Sequence, residues 1–209
     1  MSHRSTTLQV VSLLLEYPDE EVLGQHTWLA QAARNLPDRH TRENLLRFLD
    51  YLTATAPMDL ARHYVEVFDL RRRSCLYLTY YLHGDTRKRG TALLALKQSY
   101  RAAGLVPPTD ELPDFLPMVC EFAALAGPNR GESPLRQHRA GVELIRTALH
   151  DTGSAYAHVL DALCLLLPDL SPTGWDRLRR LTREGPPSEE VGLSPYGPPE
   201  ITHGTEVRT

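Results

Sequence analysis

The sequence predicts an all-α protein, a single-domain helical bundle of about nine or ten helices followed by a flexible C-terminal tail. Apolar residues recur at spacings of three and four along most of the chain. Strict two-residue alternation never persists long enough to build a sheet. After Gly185 the periodicity stops and Pro/Gly pairs take over.

Leu8, Val11, Leu14 and Leu15 mark a first helix, entered from Thr6 or Thr7 and ended at Tyr17-Pro18. Asp19 is placed to cap a second that carries Val22, Leu23 and Leu29. Leu45, Phe48, Leu49 and Leu52 define a third, with Asp38 or Thr41 at its start. Pro57 suits the first turn of a fourth, whose inner face reads Leu60, Tyr64, Val67 and Phe68. A fifth is expected over Ser74 to His83. A sixth, capped by Asp85, carries Leu93, Leu96, Tyr100 and Ala103 and ends at Gly104. Further helices fit Pro113 to Leu125, Ser133 to His150, Ser154 to Leu167 and Pro172 to Thr182. The expected division is a helical domain over 6–184 and a Pro/Gly-rich flexible tail over 185–209.

Composition excludes several classes of function. The 209 residues are 42% hydrophobic and carry a formal net charge of -3, so a real core is available and no global basic field points to nucleic acid. Three cysteines, Cys75, Cys120 and Cys164, are odd in number and far apart, which rules out a disulfide framework and suits buried thiols. Met1 to Gln9 has no basic region followed by a long apolar stretch, and no apolar run is long enough to span a bilayer. The expected compartment is the cytoplasm. No phosphate-cradling glycine loop, no His-Glu-x-x-His and no Gly-x-Ser-x-Gly elbow is present. The nine histidines are scattered. We therefore expect no catalytic residue, no metal site and no cofactor.

Residues 63–90 stand apart. Tyr64, Tyr77, Tyr80 and Tyr81 fall within them, and two basic clusters, Arg71 to Arg73 and Arg87 to Arg89, flank the aromatic helix. Tyrosine offers a flat apolar body with a hydrogen-bonding tip, and aromatics with charges at the rim suit the capture of an amphipathic helix. Tyrosines at helical spacing also suit a core, and periodicity does not separate the two readings. Asp69 with Arg72 fits an intrachain ion pair at a helix end as well as a contact to a partner. Gly90, inside the sixth helix, costs about 1 kcal/mol against alanine, which points to a second backbone passing close by, either a neighbouring helix of the core or a bound peptide.

Two blocks carry a family resemblance. The first is Phe68-Asp69-x-x-Arg72, Leu76-x-Leu78 and His83-Gly84-Asp85-Thr86-Arg87-x-Arg89-Gly90. The second is Glu111-Leu112-Pro113-Asp114-x-Leu116-Pro117 followed by Glu121-Phe122. Together with Tyr17-Pro18-Asp19 and the Pro/Gly-rich tail, they make the chain resemble the respiratory nitrate reductase delta-subunit family. Those proteins are molybdenum cofactor assembly chaperones. One departure is Tyr81, which stands where some relatives have a second histidine.

The resemblance implies a helical chaperone that binds the N-terminal segment of the nitrate reductase catalytic (alpha) subunit. It implies that this subunit is held competent for molybdenum cofactor insertion and complex assembly, and that the chaperone is absent from the finished enzyme. The alternative is a permanent structural subunit of a membrane-bound molybdoenzyme complex. Under the first reading, peptide-binding residues are expected among Tyr64, Glu66, Phe68, Asp69, Arg72, Leu76, Tyr77, Tyr80, Tyr81, His83, Asp85, Arg87 and Arg89. Neither nucleic acid nor direct membrane insertion is expected, and the chaperone reading suits a monomer.

Overall fold

The centre of the molecule is a nearly all-apolar helix, α11 (Tyr156–Leu166), whose Ala157, Val159, Leu160, Ala162 and Leu163 are all buried. A helix that is apolar around most of its circumference must be covered on several sides. Here α1 (His3–Leu14), α4 (Arg39–Ala54) and α10 (Arg139–Asp151) pack against it. On its other side α1 lies along α8 (Leu116–Arg130), and Ser12 donates a buried 2.8 Å hydrogen bond to the Pro117 carbonyl. Two short helices, α2 (Glu20–Gly24) and α3 (His26–Arg34), lead from α1 to α4. The remaining elements are α5 (Pro57–Tyr64), α6 (Leu78–His83), α7 (Arg87–Ala102), α9 (Ser133–Gln137) and α12 (Pro172–Glu184).

This computed structural model describes residues 2–107 and 110–187. Among the described residues it is one all-α domain of twelve α-helices, with no strand beyond an isolated bridge between Tyr77 and Phe115. The count exceeds nine or ten because two expected helices are each divided. The second breaks at Gln25, which ends α2 and begins α3. The stretch from Ser133 breaks at His138 between α9 and α10. Of the expected tail, Gly185 to Pro187 are described and 188–209 lie outside the described residues.

Helix starts follow capping chemistry. Asp19 and Asp38 accept from the backbone N–H groups of Val22 and Thr41, satisfying donors that the first turn cannot pair internally. Helix α1 begins earlier than the apolar pattern suggests, because Ser2 caps it through the N–H of Ser5. Asp85 does not cap α7: Thr86 occupies the cap position without a side-chain bond, and Asp85 instead pairs with Arg89 at 3.4 Å. Nor does the fifth helix reach back to Ser74. The Ser74 hydroxyl donates to the Val67 carbonyl at 2.5 Å, and α6 begins only after Tyr77, whose backbone is extended.

Helix α5 passes directly into a π-helical turn, Val65–Asp69, closed by a 3.1 Å bond from Leu70 N–H to the Val65 carbonyl. The wider turn keeps Val67 and Phe68 in the core and leaves Glu66 and Asp69 at the surface. Such turns recur at functional sites. Gly90 meets no second backbone, since a Cβ built there finds nothing within 4 Å. The close approach falls at Gly84 instead, where φ is +55° and an added Cβ would lie 1.6 Å from the Pro187 carbonyl oxygen. Only glycine combines that dihedral with that clearance. The end of the described chain therefore crosses the His83-Gly84-Asp85 turn.

Candidate functional site

The two blocks singled out in the sequence form one unit in space, and Asp114 is the atom-level reason. Its side chain is fully buried. Oδ2 accepts from the Thr79 backbone N–H at 3.0 Å and from the Thr79 hydroxyl at 2.5 Å. The Arg89 guanidinium approaches the same oxygen at 3.8 Å. The backbone closes the junction: Leu78 N–H donates to the Asp114 carbonyl at 3.0 Å, and Leu116 N–H donates to the Leu76 carbonyl at 2.7 Å. A buried carboxylate is tolerated only with such partners, so Asp114 fixes the start of α6 relative to α8 and draws in α7 through Arg89.

Arg89 carries this arrangement to the surface. Nε donates to the Thr79 hydroxyl at 3.3 Å, and Nη1 reaches Asp85. The guanidinium carbon lies 5.9 Å from the Tyr77 ring centre and 5.8 Å from that of Tyr80, within cation–π range of both. Both tyrosines are partly exposed. Tyr77 packs on Phe115 with ring centres 5.5 Å apart, and Arg72 stands near Tyr80. The result is a pair of aromatic surfaces with an arginine between them, backed by the buried Asp114 carboxylate.

The charge differs on the two sides of this pair. Beyond Tyr77 lie Glu111 and Asp69, and the Tyr77 hydroxyl is pushed up to about 12 by burial and then by Glu111. Glu16 belongs to the same acidic region. Its carboxyl is raised to about 7, first by burial and then by Glu111, Glu121 and Asp19. Beside Tyr80 the near charges are Arg72, Asp85 and Arg89. Tyr17 and Leu70 add exposed apolar area to the molecule's surface.

The expected site residues separate into three groups. Tyr77, Tyr80, Asp85 and Arg89 are together, with Arg72 beside Tyr80 and Asp69 toward Tyr77. Glu66 and Arg87 are also exposed. No ion pair joins Asp69 and Arg72 among the described residues; Asp69 lies toward Tyr77 and Arg72 toward Tyr80. The second group is core. Tyr64, Phe68, Leu76 and Tyr81 are buried, so they are not on the surface that Tyr77 and Tyr80 present. Tyr64 donates to the Leu15 carbonyl at 3.1 Å and Tyr81 to the Cys75 carbonyl at 2.8 Å. A Cβ at Gly141 would meet the Tyr81 ring at 3.0 Å, so α10 is seated directly on it. His83 forms the third group by itself: it faces a separate cleft with His138.

Sequence reasoning missed Thr79 as a member. Its signal was available only in the fold, because a threonine after Leu78 becomes meaningful once Asp114 is known to lie opposite. Among the described residues no group of three His, Cys, Asp or Glu side chains is placed to hold a metal ion. Nor is any helix long and apolar enough to cross a membrane.

The fold and the site define an all-helical protein that presents a charge-flanked aromatic face. The model of the nitrate reductase delta subunit family matches residues 35–162, a span that contains both blocks. Among relatives, a probable nitrate reductase molybdenum cofactor assembly chaperone, NarJ, of Bacillus subtilis is 34% identical over 167 residues, covering 80% of this chain and 91% of that protein. NarJ of Escherichia coli is 36% identical over 165 residues, covering 76% of this chain and 68% of that one. The nitrate reductase-like protein NarX of Mycobacterium tuberculosis is 40% identical over 156 residues, but the match spans only 23% of its length. The chain belongs to the nitrate reductase delta subunit family.

Proposed function

We propose that this protein is a dedicated assembly chaperone for nitrate reductase. It binds the N-terminal segment of the catalytic (alpha) subunit in the cytoplasm, holds that subunit competent for molybdenum cofactor insertion and complex assembly, and leaves before the enzyme is finished. It performs no chemistry itself. The cofactor is cargo for the client.

The observation that carries this reading is the pairing of Tyr77 and Tyr80 around Arg89, locked from below by Asp114. Rigid aromatic anchors with charge at the rim are the usual energetic centre of a peptide-binding surface, because they bury area at little cost in side-chain entropy. The acidic residues on the Tyr77 side favour a client segment with basic residues facing Glu16, Asp69 and Glu111. Arg72 and Arg89 on the Tyr80 side set its direction. Relatives named as molybdenum cofactor assembly chaperones of nitrate reductase support the choice of client.

Calorimetric titration with a synthetic peptide of the catalytic subunit's N-terminal residues tests the proposal, with a scrambled peptide as control. Saturable binding with a negative heat-capacity change is expected, since apolar area leaves water on docking. Equal heats from the scrambled sequence, or none from either, would sink it. A permanent subunit would instead remain with the active membrane enzyme through purification.

A further inference from the structure

The end of α12 is tied to the chain on both sides of Tyr80. On one side Arg73 donates to the Thr182 carbonyl at 3.0 Å, and the neighbouring Arg72 stands near the Tyr80 ring. On the other side Gly84 ends α6, with its N–H bonded to the Tyr80 carbonyl at 2.7 Å. Pro187 crosses this glycine so closely that no side chain fits between them. Asp85 follows directly and pairs with Arg89, whose guanidinium carbon lies 5.8 Å from the Tyr80 ring centre. The stretch Gly185-Pro186-Pro187 is thus laid against the turn that borders the aromatic face.

The way this stretch is held shows that it can lift. Gly185, at φ +78°, ends α12 with its N–H bonded to the Leu181 carbonyl at 2.9 Å, a backbone bend that glycine takes without strain. Pro186 and Pro187 have no N–H to donate, and among the described residues neither makes a hydrogen bond to the turn. The Gly84 N–H is already used within α6. Beside the strap lies a recess of about 450 Å³, lined by Tyr81, Leu82, Arg177 and Leu181 among others. Two adjacent prolines lose little chain freedom on closing, so the segment settles on the turn by shape alone. With no hydrogen bond to break and open space beside it, it opens at small cost.

We propose that Gly185–Pro187 is a strap that competes with the client for the Tyr80 end of the aromatic face. The inference rests on reading that face as the client site. A client segment that runs along Tyr77 and Tyr80 past Arg89 reaches Asp85 and then Gly84, where it meets the strap and must displace it. A client that engages both tyrosines makes more contacts than the strap and replaces it. A segment that matches the Tyr80 end alone does not.

The test uses the full chain. Pro186→Gly with Pro187→Gly loosens the strap without altering any residue of the aromatic face. Calorimetric titration with the client peptide should then show binding about threefold tighter than in the wild type. In the peptide-free protein, amide exchange over 83–86 should quicken. Pro198→Gly with Pro199→Gly, farther along the chain, should change neither quantity. Equal or weaker client affinity in the first variant would overturn the proposal. So would an equal gain from the second pair, which would move the competitor beyond residue 187. Binding by neither wild type nor variant would refute the client-site reading instead, and unchanged exchange over 83–86 would refute the strap by itself.

Discussion

Two groups of tyrosines in this molecule look alike in sequence and differ in kind. Around Tyr156, the rings of Phe48, Phe68, His63 and Tyr64 lie with centres 4.7, 4.8, 5.4 and 5.9 Å away. Their polar tips are used internally: Tyr64 bonds to the Leu15 carbonyl, while the Tyr51 hydroxyl is 2.6 Å from His63 Nδ1 and Ser154 lies 3.0 Å from Nε2. Tyr77 and Tyr80 keep part of their rings in water and have an arginine between them. Aromatic content alone therefore does not mark a binding surface. What sets Tyr77 and Tyr80 apart is an arginine between two half-exposed rings, with the buried Asp114 carboxylate beneath it.

The sharpest way to break this comparison is to truncate one ring of each group. Tyr156→Ala should cost about 4 kcal/mol in urea unfolding, because a large cavity opens among four neighbouring rings. A cost under about 1 kcal/mol would mean the cluster is not the packed centre described here. Asp114→Ala comes next, at about 3 kcal/mol, since Thr79 and Arg89 lose their buried acceptor. Asp114→Asn should lose less, because an amide oxygen still accepts from Thr79. Tyr80→Ala should change stability by less than about 1 kcal/mol yet weaken the client peptide at least tenfold by calorimetry. A variant that binds normally would move the anchor elsewhere.

The smallest expected effect depends on pH. The Glu16 carboxyl is raised in the folded protein from an ordinary 4.5 to about 7. Its protonated form thus favours folding fully below about 4.5, and that contribution is lost as pH rises through about 7. Glu16→Gln should therefore raise the melting temperature at pH 8 and leave it nearly unchanged at pH 4.5. His138, lowered from 6.5 to about 4, runs the opposite way over the same window, losing its contribution as pH falls. Only the difference between variant and wild type isolates Glu16. An equal shift at both pH values would refute the assignment.

Much of the fold was legible because period and caps are local. Asp19, Asp38 and Pro57 stand at real helix starts, and the apolar stripes of α1, α4 and α10 point inward as their spacing requires. What escaped was set by contacts distant in sequence. Tyr81 fits the aromatic stripe as well as Tyr80 does, and only the seating of α10 at Gly141 makes it core. His83 shares a motif with Asp85 and Arg89, but α6 ends between them at Gly84 and sends it to the other cleft. No segment of the described chain packs on Gly90; the close approach within the chain occurs six residues earlier, at Gly84, from a stretch more than one hundred positions away.

Hydrogen–deuterium exchange with saturating client peptide tests the central claim most directly. Slowed exchange is expected over 77–89 and 111–116, the two segments joined at Asp114, with little change in α4 or α11. Protection confined to other helices, with those two segments exchanging as in the free protein, would contradict it.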